Sequence, residues 1–204
     1  MKTFKEYFNI EDQEQKRETI ALLPGGFKPP TKGHFGAFKY ILQDADKGIV
    51  FIGSGDRELV ENEPEKGVIT QAQSKAIWEI YAKYLGKPIE VRTSASTPVR
   101  DVYEYADANP ELAIIVGAGG PREIKPGVFD KGDMKRYDYF VKNPEKYPLV
   151  SVVQIPSQEG GMRGTEMRKL IANDLDAGIE AFAPLGDDGL SESDKDAVKA
   201  VLQA

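Results

Sequence analysis

The chain's single histidine, His34, closes the run Pro24-Gly25-Gly26-Phe27-Lys28-Pro29-Pro30-Thr31-Lys32-Gly33-His34, directly after the apolar stretch Ile20-Ala21-Leu22-Leu23. A strand that feeds a Gly/Pro loop and then a helix gathers unpaired backbone N–H groups around one point. Two lysines and an imidazole join them here, and such a point suits a phosphate. Gly25 and Gly26 allow close backbone approach to a phosphate or a base, and Pro29-Pro30 stiffens the turn. Thr31 and His34, three apart across a helix start, can face the same ligand. A lone histidine at a helix start is commonly a surface or capping residue; its neighbours argue here for a ligand.

The flanking elements must hold this loop in place. Apolar runs and helical periodicity alternate along the chain. They predict strands over 20–23, 49–53, 89–91, 112–116 and 149–155. Helices are expected over 35–42, after the cap Thr70, over 98–105, from the Gly160–Gly164 region through about 175, and over 191–202. In the Thr70 helix, Ala72, Ala76, Ile77, Ile80, Tyr81 and Tyr84 form one face, and Trp78 reads as packing rather than ligand stacking. Ser191 and Asp194 stand in capping-box spacing at the last helix. Strand, helix, strand at this spacing implies an α/β fold. It is a Rossmann-like doubly wound parallel sheet of about five strands, with an inserted segment and C-terminal helices. Ligands bind such sheets beyond the carboxyl ends of the strands, so the loops after Leu23, Gly53 and Val116 should converge.

Residues 118–148 break the alternation. Between Pro121 and Tyr147 they carry seven Lys/Arg and five Asp/Glu, interleaved with Phe129, Tyr137, Tyr139, Phe140 and Tyr147. An insertion of this length reads either as a functional loop or as a packing segment. The organisation is thus an N-terminal extension over 1–18 and one domain over 19–204 with the insertion 118–148.

Composition narrows the chemistry. With 204 residues, 40% hydrophobic and 29% charged, the chain suits a globular domain. No apolar run approaches the ~20 residues that cross a bilayer, and the N-terminus is too charged for a secretory segment. A cytoplasmic location and no membrane partner are expected. Without cysteine there is no disulfide, thiolate metal site or cysteine nucleophile, and one histidine excludes a multi-His site within the chain. Any metal should be a hard, oxygen-liganded ion such as Mg2+. A net charge of -6 argues against a nucleic-acid partner but leaves a small phosphorylated ligand open.

Gly25-Gly26-Phe27-x-Pro29 followed by Thr31-x-Gly33-His34 resembles the first signature of the nucleotidylyltransferase superfamily of adenylyl- and cytidylyltransferases, with Thr31 in the slot of a first histidine. The second signature of that superfamily resembles Met162-Arg163-Gly164-Thr165-Glu166-Met167-Arg168. The wording Gly-Thr-Glu-Met-Arg is most similar to nicotinamide-nucleotide adenylyltransferases and related phage-encoded cytidylyltransferase-like proteins. Met162 and Arg163 depart from the expected Ile and Ser, and the lost serine hydroxyl bears on phosphate geometry.

The resemblance implies transfer of AMP or CMP from ATP or CTP, with Mg2+, to a small phosphorylated acceptor. Pyrophosphate is released, and adenylyl transfer, for example to nicotinamide mononucleotide, is slightly favoured. It assigns His34 and Thr31 to the α-phosphate, and Thr165 and Arg168 to the departing pyrophosphate. Gly25, Gly26, Phe27, Lys28, Gly33 and Gly164 would shape the nucleotide site. Arg57, Arg100, Arg122 and Arg163 are candidate acceptor or phosphate contacts; Arg57 and Arg122 read equally as surface arginines, and Arg163 could compensate with charge for the lost serine. Gly117-Ala118-Gly119-Gly120 has no helix pattern behind it and does not read as a dinucleotide loop.

The first residues, Met1-Lys2-Thr3-Phe4-Lys5-Glu6-Tyr7-Phe8, resemble the targeting peptide of internal head proteins in large tailed phages. An amphipathic helix is the plainer reading. The alternative function is accordingly a catalytically inactive nucleotide-binding or phage-head structural protein on the same fold. If the chain is phage-encoded, the expected location is the host cytoplasm, with packaging in the virion open and the phage head core a candidate partner. Homo-oligomerisation is left open.

Overall fold

The computed structural model describes residues 17–120, 122–125, 128–130, 132–156, 162–182 and 189–204, with backbone alone over 122–125 and 128–130. The short amphipathic helix expected around Phe4 and Phe8 lies outside the described residues.

The first strand, β1 (Thr19–Gly25), leads into α1 (Lys32–Leu42) and β2 (Lys47–Ile52). A short antiparallel pair, β3 (Arg57–Glu58) and β4 (Val68–Ile69), precedes α2 (Gln71–Ala82), β5 (Ile89–Thr93), α3 (Pro98–Ala108) and β6 (Ala113–Gly119). The insertion then forms the hairpin β7 (Arg122–Lys125) and β8 (Val128–Asp130), a 3-10 turn at Met134–Tyr137 and α4 (Asp138–Lys142). After β9 (Val150–Ile155) come α5 (Gly164–Asn173), α6 (Leu175–Glu180) and α7 (Glu192–Gln203).

Five strands form the main sheet in the order β5-β2-β1-β6-β9, every neighbouring pair parallel. The fold is thus the expected Rossmann-like α/β sheet. The order reverses between β1 and β6, and a crevice opens at such a point beyond the strand ends.

Period-two alternation sends β1 to both faces. Ala21 and Leu23 pack with α1, α2, α5, α6 and α7, while Ile20 and Leu22 pack with α3 and the insertion. Strand β2 does the same, Val50 and Ile52 to one side and Ile49 and Phe51 to the other. Trp78 is fully buried among Phe27, Phe38 and Tyr81, in agreement with its reading as core. The insertion is part of the second core: Tyr137, Phe140 and Tyr147 are buried beside α3, with Phe140 stacked on Tyr103 at 4.3 Å.

Caps set the helix limits. Thr31 opens α1 three residues before the expected start, and Thr70 accepts from the Gln73 N–H at 3.1 Å to open α2. Lys87 closes α1 by donating to the carbonyls of Leu42, Gln43 and Ala45. The helix expected to run through about 175 stops at Asn173. Asp174 is extended there, and its carboxylate accepts from the Ala177 N–H at 3.0 Å, so the chain restarts as α6.

Candidate active site

At the carboxyl end of the sheet a cavity of about 380 Å3 runs from the β1–α1 loop, across β6, to the insertion. Its first wall is Gly25, Gly26, Phe27, Thr31, Gly33 and His34, and another is Met162, Arg163 and Gly164 at the start of α5. The two sequence motifs, some 130 residues apart, therefore share one cavity. Gly117, Gly119 and Gly120 form the floor at the end of β6.

His34 caps α1 through one ring nitrogen. Its Nδ1 accepts from the Thr31 backbone N–H at 3.0 Å and lies 3.0 Å from the Thr31 hydroxyl. It thereby closes the first turn of α1, as a capping residue would. An imidazole that accepts at Nδ1 carries its proton on Nε2, the edge of the ring opposite the cap. Phe27 holds the ring by an edge-to-face contact at 5.0 Å and is itself packed on Trp78. That position requires Phe27 to take φ 49°, a left-handed conformation. Gly25 is obligatory beneath it, because a Cβ there would stand 2.5 Å from the Phe27 ring.

The basic residues divide. Arg163 lines the cavity. Lys28 lines no wall of it: at 6% exposure, its ammonium donates to the carbonyls of Gly26 at 2.9 Å and Gly53 at 2.7 Å. Arg168 donates to the Lys28 carbonyl at 2.7 Å and to the Thr165 hydroxyl at 3.3 Å. Burial lowers the pKa of Lys28; Asp56 works against this and Arg57 adds to it. Burial lowers Arg168 as well, again with Arg57 adding and Glu61 opposing. Arg57 thus acts electrostatically on both Lys28 and Arg168, with Asp56 and Glu61 as the opposing charges. Lys32 and Thr165 sit outside the walls of the cavity, Thr165 on the exposed side of α5. Arg100 is not brought to the site, being exposed on α3 and paired with Glu104 at 2.6 Å. The side chain of Arg122 lies outside the described residues.

A second, more open concavity of about 440 Å3 adjoins the first. Gly53, Ser54, Ser96, Thr97 and Val99 line it from the ends of β2 and β5 and the start of α3, and Arg136 reaches it from the insertion. Asp133 and Tyr137, one on either side of Arg136, line the first cavity, and Asp133 pairs with Arg136 at 3.1 Å. Gly132 makes this crossing feasible. It takes φ +69°, and a Cβ there would stand 2.4 Å from the Gly119 carbonyl oxygen.

Asp133, Tyr137 and Gln154 were invisible to motif reasoning. The available signal was positional: an insertion leaving the carboxyl end of β6 must cross the ligand edge of the sheet. Among the described residues no three His, Cys, Asp or Glu side chains cluster at metal-ligand spacing, and no helix is long and apolar enough to cross a membrane.

The chain is similar to two crystal structures of a bifunctional NMN adenylyltransferase/ADP ribose pyrophosphatase from Francisella tularensis. For the one complexed with AMP and a manganese ion, identity is 17% and the TM-score 0.49, over 78% of this chain and 42% of that chain. For the other, identity is 16% and the TM-score 0.45, over 77% and 42%. The chain thus spans less than half the length of either. No protein-family model and no curated protein matches the sequence.

Proposed function

We propose that this chain is a nucleotidylyltransferase that moves AMP or CMP from ATP or CTP to a small phosphorylated acceptor. The observation that carries this reading is the union of the two motifs, Gly25 to His34 and Met162 to Gly164, in the walls of one cavity. Adenylyl transfer, with nicotinamide mononucleotide as one candidate acceptor, is the first version to try.

In this reading an oxygen of the acceptor phosphate attacks the α-phosphorus. The new P–O bond forms as the bond to the β-phosphate bridging oxygen breaks, and pyrophosphate leaves with that electron pair. No covalent intermediate is needed, so the work of the chain is alignment and charge neutralisation. His34 donates from Nε2 to the α-phosphate, with Thr31 fixing the ring. The N-termini of α1 and α5 face the phosphates with their amides, and Arg163 and Arg168 add charge. Mg2+, if bound with the nucleotide, would be held from the protein side by Asp133, the acidic side chain lining the cavity. Bound in that way it would neutralise phosphate charge. The second concavity, with Arg136 and the hydroxyls of Ser54, Ser96 and Thr97, is the acceptor side.

The test is pyrophosphate release from ATP and from CTP against a panel of phosphorylated acceptors, including nicotinamide mononucleotide. Release with one pair is the expected result. Nucleotide binding without release across the whole panel would instead favour a binding protein, such as a phage-head component, that keeps the fold without turnover.

A further inference from the structure

Among the described residues only Gly26 lines both cavities. A Cβ there would meet nothing within 4 Å, so open space stands over it. Ligands held in the two cavities would meet above this strip of backbone. The strip is tied to its neighbour, because the Gly53 N–H donates to the Gly25 carbonyl at 2.8 Å. It is also held by a side chain that lines neither cavity, Lys28, through the carbonyls of Gly26 and Gly53. The carbonyl of Lys28 is in turn gripped by Arg168, which fastens the strip to α5.

We propose that Lys28 is a positioning residue for the transfer step. Its ammonium occupies the Gly26 and Gly53 carbonyl oxygens, fixes the strip between the two ligands and leaves a positive charge beneath the point where their phosphates meet. The inference rests on the transfer reading above. A methionine would fill the same space without the cost of desolvating a charge, but both carbonyl oxygens would lose their donor and could repel anions. The hydrogen-bond partners of the ammonium are neutral carbonyls, and the carboxylate acting on its charge is Asp56. Two anions converging over one strip need both effects, and a displacement of about 1 Å there can cost about 100-fold in rate.

The test compares Lys28→Met with Lys28→Cys, and the absence of native cysteine makes the latter selectively alkylatable. Treatment with 2-bromoethylamine in denaturant, then refolding, restores an ammonium at nearly the native reach; iodoacetamide gives a neutral control. Lys28→Met should lower kcat by about 30-fold or more with the triphosphate Kd changed less than about threefold, and the aminoethylated protein should recover to within about threefold of wild type. An unchanged kcat in Lys28→Met, or equal rescue by the neutral adduct, overturns the proposal.

Failure of the transfer reading has a separate signature, namely no pyrophosphate from the wild type with any acceptor. The strip is then judged by calorimetry, using the α,β-methylene analogue of ATP or CTP with and without inorganic phosphate. Phosphate should raise the analogue's Kd less than about twofold in the wild type and about fivefold or more in Lys28→Met, where the charge between the anions is gone. Equal effects in both proteins overturn the role.

Discussion

His34 caps a helix and lines the cavity with one side chain. Its Nδ1 does for α1 what the side-chain oxygen of Gln73 does for α2: each accepts from the backbone N–H of a threonine three residues earlier, at 3.0 and 2.9 Å. Glutamine can therefore replace the cap without replacing the acid hydrogen. His34→Ala should lose about 1 kcal/mol in urea unfolding, while His34→Gln should stay within about 0.5 kcal/mol of wild type. Both should lower kcat for pyrophosphate release by about 100-fold or more, as expected for removal of a transition-state donor. Turnover close to wild type in His34→Gln would reduce the histidine to a cap. The residues of this wall were legible in sequence because the loop, its glycines and the helix start are contiguous. Asp133, Tyr137 and Gln154 were not, since their place depends on how a separate segment crosses the sheet.

At the scale of elements, the sheet was legible because strands buried on both faces read as apolar runs. The β3–β4 pair was not, since two residues per strand carry no period, and the break at Asp174 depends on a side chain competing for a backbone N–H. Helix α7 is fastened by a different device. Asp194, buried at 8% exposure, accepts from Lys83 at 2.6 Å and from the Tyr84 and Ser191 hydroxyls, which docks the helix on α2. The Lys83 hydrogen bond, then that of Tyr84, holds its carboxyl below the ordinary 3.8. A depressed folded-state value contributes stability that is present above pH 3.8 and lost as pH falls through the lower folded value. Wild type should accordingly lose more stability than Asp194→Asn between pH 5 and pH 2, the two unfolding curves converging in acid. Parallel pH dependence would show that the pairing contributes nothing. The surface exposure of Lys83 limits the size of the effect but not its sign.

Across the molecule as a whole, the insertion packs as part of the core. Phe140, 2% exposed, belongs to the same core as Ile20 and Leu22 of the central strand. Phe140→Ala should cost about 3 kcal/mol or more, comparable with Phe38→Ala on the opposite face. Chemical denaturation of the two variants compares them directly, and a loss under about 1 kcal/mol for Phe140→Ala would make the insertion an appendage. Its aromatic spacing was visible in sequence, but the choice between lid and core was not, since burial of an aromatic depends on the partner face.

The bareness of Gly26 bears on how the molecule could be rebuilt. Beyond its own chain neighbours a single methyl would meet no protein atom within 4 Å, so Gly26→Ala should melt as the parent does while intruding on the only described residue that both cavities share. Calorimetry should then find each ligand still accepted alone and the second refused once the first is bound. Simultaneous occupancy at parental affinity would show that the methyl points clear of both. If the chain joins two ligands as proposed, one carbon atom would convert it into a receptor that admits them by turns.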